Sequence, residues 1–115
     1  MQPQNVDPEV QKANELRELA SSAEKFSSKL KELYRTRNET ESVIRSLERV
    51  PSDRKSFRLQ GEILVEQPAG KSLIDMQAEV VMISETIKAA EQQYHATTER
   101  ITMLTQKHNL QLRTQ

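Results

Sequence analysis

The sequence predicts a mainly α fold: a long antiparallel two-helix coiled coil with a central β-hairpin at the bend. Three observations predict it. Apolar residues recur at three-four spacing along two long stretches, which marks a helical seam. Those stretches match in length, since Pro8 to Val50 and Leu73 to Gln115 each span 43 residues. Between them the period disappears, and Arg54–Glu66 carries aromatic and branched residues at alternate positions, as a strand does. A short middle segment forces the chain to reverse. The expected layout is one domain over 1–115, with helix 1 about 8–50, the hairpin about 54–67 and helix 2 about 72–112.

The first helix has a clear start. Asp7 can cap free amides, Pro8 suits the first turn, and Glu9 favours the positive end of the helix dipole. Its seam reads Leu16, Leu19, Ala23, Phe26, Leu30, Leu33, Arg37, Thr40, Ile44 and Leu47. Arg37 and Thr40 interrupt it in adjacent layers. Arg37 is expected to snorkel and pair with Glu41 one turn on; the other reading is a register or partner-choice device. Pro51 ends the helix, because the residue before proline is pushed out of helical geometry.

The second helix is expected to begin at Ser72 as its cap, with Asp75 three residues on. Pro68-Ala69-Gly70 is read as the break before it. Its seam is Leu73, Met76, Val80, Ile83, Ile87, Ala90, Tyr94, Thr97, Ile101, Leu104 and His108. Pairing Val50 with Leu73 sets the register of facing layers. In that register both seams turn polar toward the chain ends. The coil is therefore expected to fray beyond about Leu16 and Leu104, leaving Leu110 and Leu112 without seam partners.

Composition limits function. The hydrophobic fraction is 35%, against about 45–50% in ordinary globules. That suits a narrow seam better than a thick core. Lysine plus arginine total 17 and aspartate plus glutamate total 17, and the balance holds locally, with nine of each sign in residues 1–50. No basic face stands out, so nucleic-acid binding has little support. Cysteines are absent, which excludes disulfides, thiol catalysis and cysteine-ligated zinc. His95 and His108 are too far apart along one helix to share a metal. No HExxH, GxSxG, P-loop or EF-hand pattern occurs, so neither a catalytic constellation nor a cofactor is expected. The N-terminus lacks a charged-then-apolar signal, and no apolar run approaches the roughly 20 residues that span a bilayer. A cytoplasmic chain without membrane contact is expected.

The hairpin raises a physical problem. A two-stranded hairpin is marginal alone in water, and its outer edges carry unpaired amides and carbonyls. Narrow helices offer little surface to cover it. Strands from neighbouring copies or paralogues would remove the edges by closing a barrel, so oligomerisation through the hairpin is expected. Two registers are open. A two-residue Gly61-Glu62 loop sets Leu59 opposite Leu64. A three-residue Gln60-Gly61-Glu62 loop sets Leu59 opposite Ile63 and Phe57 opposite Val65. The second keeps four apolar residues on one face and is preferred.

Residues Arg54-Lys55-Ser56-Phe57-Arg58-Leu59, Gly61 and Ile63-Leu64-Val65-Glu66 carry a resemblance. They are similar to the basic–aromatic–basic strand, glycine turn and Leu-Val strand of β-class prefoldin subunits. With Lys107-His108-Asn109-Leu110, the chain looks most like the eukaryotic subunit-two branch of that class. It departs from the pattern at Phe57 (usually tyrosine), Ser56 (frequently cysteine) and Glu62 (commonly glycine). The resemblance implies a prefoldin-like fold and a hexamer with two α-class and three further β-class subunits. It implies that Phe57, Leu59, Gly61, Ile63 and Val65 build a β-barrel body. It also implies coiled-coil tips, including Leu16, Leu19, Ile101, Leu104, Leu110 and Leu112, that hold unfolded client proteins such as actin and tubulin. These pass to the cytosolic chaperonin without ATP hydrolysis. The alternative is a structural coiled-coil adaptor or scaffold whose hairpin is only a tight corner.

Overall fold

The computed structural model describes residues 7–108. Two helices, α1 (Pro8–Leu47) and α2 (Ala69–His108), flank two antiparallel strands, β1 (Lys55–Gln60) and β2 (Ile63–Pro68). The chain divides into two compact units, residues 31–88 and the remainder (1–30 with 89–115).

Helix α1 starts as its sequence dictates. The Asp7 carboxylate accepts the Glu9 amide at 2.9 Å and its carbonyl accepts the Gln11 amide at 3.0 Å, so a cap and the first helical turn share one residue. The helix ends at Leu47, three residues before the expected end at Val50. The Arg49 and Val50 amides bond to the Ser46 and Leu47 carbonyls, three residues back. That tightening unwinds the last turn before Pro51 is reached.

Helix α2 starts at Ala69, three residues before the expected cap. The Ala69 amide donates to the Arg54 carbonyl at 2.7 Å and the Gly70 amide to the Ser52 carbonyl at 2.9 Å. The first free amides of the helix are thus satisfied by backbone from the turn before β1. No side-chain cap is needed, and Ser72 lies inside the helix. Gly70 permits the approach: a Cβ there would stand 3.1 Å from the Ser52 Cβ.

In the unit of residues 31–88, the seam positions Leu33, Arg37, Thr40, Ile44, Leu47, Leu73, Met76, Val80 and Ile83 are half-buried, and Ile87 is buried. The two interruptions are accommodated locally. The Arg37 guanidinium stacks over the Tyr34 ring, 5.6 Å from its centroid, rather than pairing with Glu41 as expected. The Thr40 hydroxyl donates to the Thr36 carbonyl at 2.9 Å, which removes the cost of burying it. On the outer face of α1, Arg35 bridges Glu32 and Glu39. Those carboxylates, Glu32 foremost, raise the affinity of the guanidinium for its proton.

In the other unit, Leu16, Leu30, Ala90 and Leu104 are buried, and Leu19, Ala23, Phe26, Thr97 and Ile101 are half-buried. Arg100 on α2 pairs with Glu15 on α1 at 3.2 Å. Among the described residues, the last buried ones at this end are Leu16 and Leu104, where the apolar stripe stops in the sequence. The helices nonetheless continue beyond them, to Pro8 and His108.

The hairpin corrects the preferred register. Leu59 lies opposite Leu64, Gln60 opposite Ile63 and Phe57 opposite Glu66. The loop is therefore Gly61-Glu62, the two-residue form. Gly61 takes φ +65°, the backbone that a primed turn requires at its first position. Nothing lies within 4 Å of a Cβ built there, so strain alone penalises a side chain. Gly61→Ala is expected to destabilise the hairpin by about 1–2 kcal/mol, and Gly61→Asn by less. Hydrogen exchange across 55–68 should rank parent, asparagine, alanine from slow to fast. Equal rates in all three would refute the strain.

Candidate functional site

The register decides which side chains share a face. Residues directly opposite one another project to the same side of a sheet, and neighbours along a strand alternate. One face carries Lys55, Phe57 and Leu59 with Leu64, Glu66 and Pro68. The other carries Ser56, Arg58 and Gln60 with Ile63, Val65 and Gln67. The expected cluster of Phe57, Leu59, Ile63 and Val65 on one face is therefore split. Phe57 and Leu59 stand with Leu64, and Val65 and Ile63 lie on the opposite side. The expectation failed because moving the loop by one residue reverses the face of an entire strand.

The second face is held on α2. Ser56, Arg58, Val65 and Gln67 are half-buried, and Ser72 is 1% exposed. The Ser56 hydroxyl donates to the Gln67 carbonyl at 2.9 Å. The Ser72 hydroxyl lies 2.6 Å from that of Ser56, and accepts from the Gln67 side-chain amide at 2.8 Å. With the Ser56 proton committed to Gln67, Ser72 donates to Ser56, and the ring of bonds closes. Farther along the helix, Arg58 forms an ion pair with Glu79. Ser72, Asp75 and Glu79 follow the i, i+3, i+7 spacing of one helix face. They form a polar stripe beside the apolar seam. The helices thus cover one side of the hairpin after all, by hydrogen bonds and an ion pair rather than apolar bulk.

The first face is open. Phe57 is 58% exposed, Leu59 70% and Leu64 63%. A Lys55–Glu66 ion pair at 3.8 Å borders them; as an exposed pair it contributes little stability. Ile63, beside the loop, is exposed as well. With two strands in the sheet, both are edge strands. A groove of about 220 Å³ is lined by four consecutive β1 residues, Ser56 to Leu59, together with Val43, Leu47, Ser72 and Met76, and by no residue of β2. β1 is thus flanked by a mixed groove, with five apolar residues among the eight that line it. Farther along α2, Ile74, Val81 and Met82 are also exposed.

The other expected set lies in the unit of residues 1–30 and 89–115. Leu16 and Leu104 are 6% and 4% exposed. They are seam residues, closed off in this state, and Leu19 and Ile101 are half-buried. Leu110 and Leu112 fall outside the described residues. Among the described residues of this unit, the large apolar side chains most exposed are Val10 and Met103, neither of them on the seam. Among the described residues, no group of three or more His, Cys, Asp or Glu side chains could hold a metal ion. No described helix is long and apolar enough to cross a membrane.

Sequence reasoning left Leu64 out of the site by preferring the three-residue loop, and missed the polar ring. Leu64 was detectable once the two-residue loop was taken seriously, because Leu59–Leu64 is its closest apolar pair. The signal for the ring was the polar stripe Ser72, Asp75, Glu79 at the start of an otherwise apolar-seamed helix.

Two long helices, with a hairpin between them that is held on one side and apolar on the other, define a class: a helix–β-hairpin–helix chain with one open β-face. The chain belongs to the prefoldin subunit family, whose model matches residues 10–115. Its fold is similar to that of the crystal structure of the prefoldin beta subunit from Thermococcus strain KS-1, with a TM-score of 0.79 and 18% identity over 97% of this chain and 99% of that one. No curated protein sequence matches the chain significantly. Prefoldins are a non-enzymatic, chaperone-type family, and family membership implies assembly with other prefoldin subunits in a chaperone complex.

Proposed function

We propose that the chain is a β-class subunit of a hexameric, ATP-independent co-chaperone, of the eukaryotic subunit-two type, working in the cytoplasm. Its hairpin joins two α-class and three further β-class subunits. The observation that carries this reading is the asymmetry of the hairpin. One face is bonded to α2, while Phe57, Leu59 and Leu64 stand in water beside open strand edges. Exposed edges and apolar groups are costly in a free monomer, and strands from partner subunits remove both costs. Gly61 sets the turn and Ile63 extends the surface at the loop. Val65 acts from the other face, by seating the hairpin.

The complex holds unfolded proteins of the actin and tubulin type and delivers them to the cytosolic chaperonin. Client contact is assigned to the unit of residues 1–30 and 89–115. Leu19, Ile101, Leu110 and Leu112 belong to that surface, with Val10 and Met103 added by their exposure. Leu16 and Leu104 join it when the helices part. Co-purification from native lysate with mass measurement tests the assembly. The expected result is a hexamer containing five other small coiled-coil chains, and recovery of the chain alone would overturn it. For the client surface, Val10→Asp with Met103→Asp should leave the hexamer intact. On the order of tenfold more complex should then be needed to suppress aggregation of unfolded actin, the equivalent of about 1.4 kcal/mol of lost apolar contact. Unchanged suppression would remove these two residues from the client surface.

A further inference from the structure

We propose that the ring of hydrogen bonds joining Ser56, Gln67 and Ser72 is a latch that presets the orientation of the assembly face on α2, so that the subunit joins its partners without moving its hairpin. The inference rests on the reading of the hairpin as an assembly element. It concerns residues that do not lie on the open face.

Three features of the ring support it. It is closed: each hydroxyl proton has one acceptor, and the Ser72 oxygen also accepts from the Gln67 amide. It connects three elements, because Ser56 is on β1, Gln67 on β2 and Ser72 on α2. And Ser72 is almost completely buried, so water does not replace a lost partner. Among the described residues no buried side-chain nitrogen or oxygen lacks a partner. The ring is braced on both sides. Lys71 holds Asp75 at 3.2 Å, and Asp75 reaches the Gln67 amide at 3.5 Å. The Arg58–Glu79 ion pair pins β1 one turn farther along α2.

A hairpin resting on apolar groups alone can slide, because such contacts have no direction. Hydrogen bonds have angular preferences, and a closed ring of them admits one arrangement. A hairpin held so strictly does not lose orientational freedom when a partner strand arrives, which removes an ordering cost from association. Ser56, Gln67 and Ser72 are therefore positioning residues.

Two variants of the full chain test this, measured alone and with the partner subunits that co-purify with the parent. In Ser72→Ala, hydrogen exchange over residues 56–67 should quicken in the isolated chain, while helicity and exchange over residues 16–40 stay unchanged. Association should weaken about tenfold, the scale of one lost buried hydrogen bond. A merely structural role would lower the unfolding midpoint without loosening the hairpin selectively. The second variant, Ser56→Cys with Ser72→Cys, exploits a chain without cysteines. The hydroxyls already touch, so glutathione disulfide should join the two thiols, taking up two electrons and releasing reduced glutathione. The oxidised chain should assemble at least as tightly as the parent. Its reduced form should resemble Ser72→Ala.

Failure of the oxidised chain to assemble overturns the latch, because the hairpin must then leave α2 to meet its partners. Parent-like association of Ser72→Ala overturns it too. Neither result touches the assembly reading, which depends on Phe57→Asp with Leu64→Asp. If that variant assembles normally, the open face is not an assembly surface and the latch has nothing to orient.

Discussion

Changing Phe57 and Leu64 together to aspartate is expected to abolish assembly while leaving the chain helical. Both side chains are more than half exposed on the open face of the hairpin, so removing them disturbs little within the subunit. In a complex each is expected to be covered. Burying a large apolar side chain stabilises by about 1.5–3 kcal/mol. Two such losses amount to roughly 3–6 kcal/mol, or about a hundredfold to ten-thousandfold in affinity. Aspartate adds to this, because a carboxylate without a partner in an apolar interface is strongly disfavoured. Size-exclusion chromatography and native mass measurement of the co-expressed subunits would read the loss, with circular dichroism as the control for helicity. A normal hexamer containing this variant would refute the hairpin as the joint. Val65→Asp is not a clean probe, since Val65 faces the helices and its replacement also disturbs the seating of the hairpin.

Ile87→Ala is expected to produce the largest loss of stability among seam substitutions. Ile87 is 3% exposed, and truncating a buried isoleucine to alanine costs about 2–5 kcal/mol, according to how far the site collapses. In a domain of this size each kcal/mol lowers the melting midpoint by about 4–8 °C. Met82, five residues earlier, is 67% exposed, and Met82→Ala should cost no more than about 0.5 kcal/mol, a midpoint shift of at most about 2–4 °C. Thermal unfolding of the two variants side by side gives the comparison. Similar midpoints would mean that the seam is not where the helices are held together.

Particular residues show how much was readable beforehand. The seam was written plainly: apart from Tyr94, which is partly exposed, every seam position between Leu16 and Leu104 is buried or half-buried. Apolar side chains leave water wherever they line up, and the three-four spacing lines them up on one face. Asp7 as cap and Pro8 in the first turn were equally local, and both are as expected. The start of α2 was not local. Its amides are accepted by the Arg54 and Ser52 carbonyls, and a backbone carbonyl carries no residue signature. Ser72 looked like a cap because serine suits that role. It instead accepts from the Gln67 side-chain amide and donates to the Ser56 hydroxyl on β1. Arg37 found the Tyr34 ring in place of Glu41, two partners of similar sequence distance that only side-chain geometry separates.

The hairpin shows the same division most sharply. Alternating apolar residues about a glycine revealed two strands, and unpaired edges argued for partners. Neither observation fixed the faces, because Gly61 is compatible with two loops and the loops differ by a single residue. The sequence by itself determined two seamed helices, a β-segment between them and the need for that segment to be covered. The tertiary structure decided which side is covered from within and which is left exposed. The physical reason is the range of the interactions. Seams and caps arise between residues a few positions apart, whereas Ser56, Gln67, Ser72, Arg58 and Glu79 meet only after both strands and α2 have been brought together.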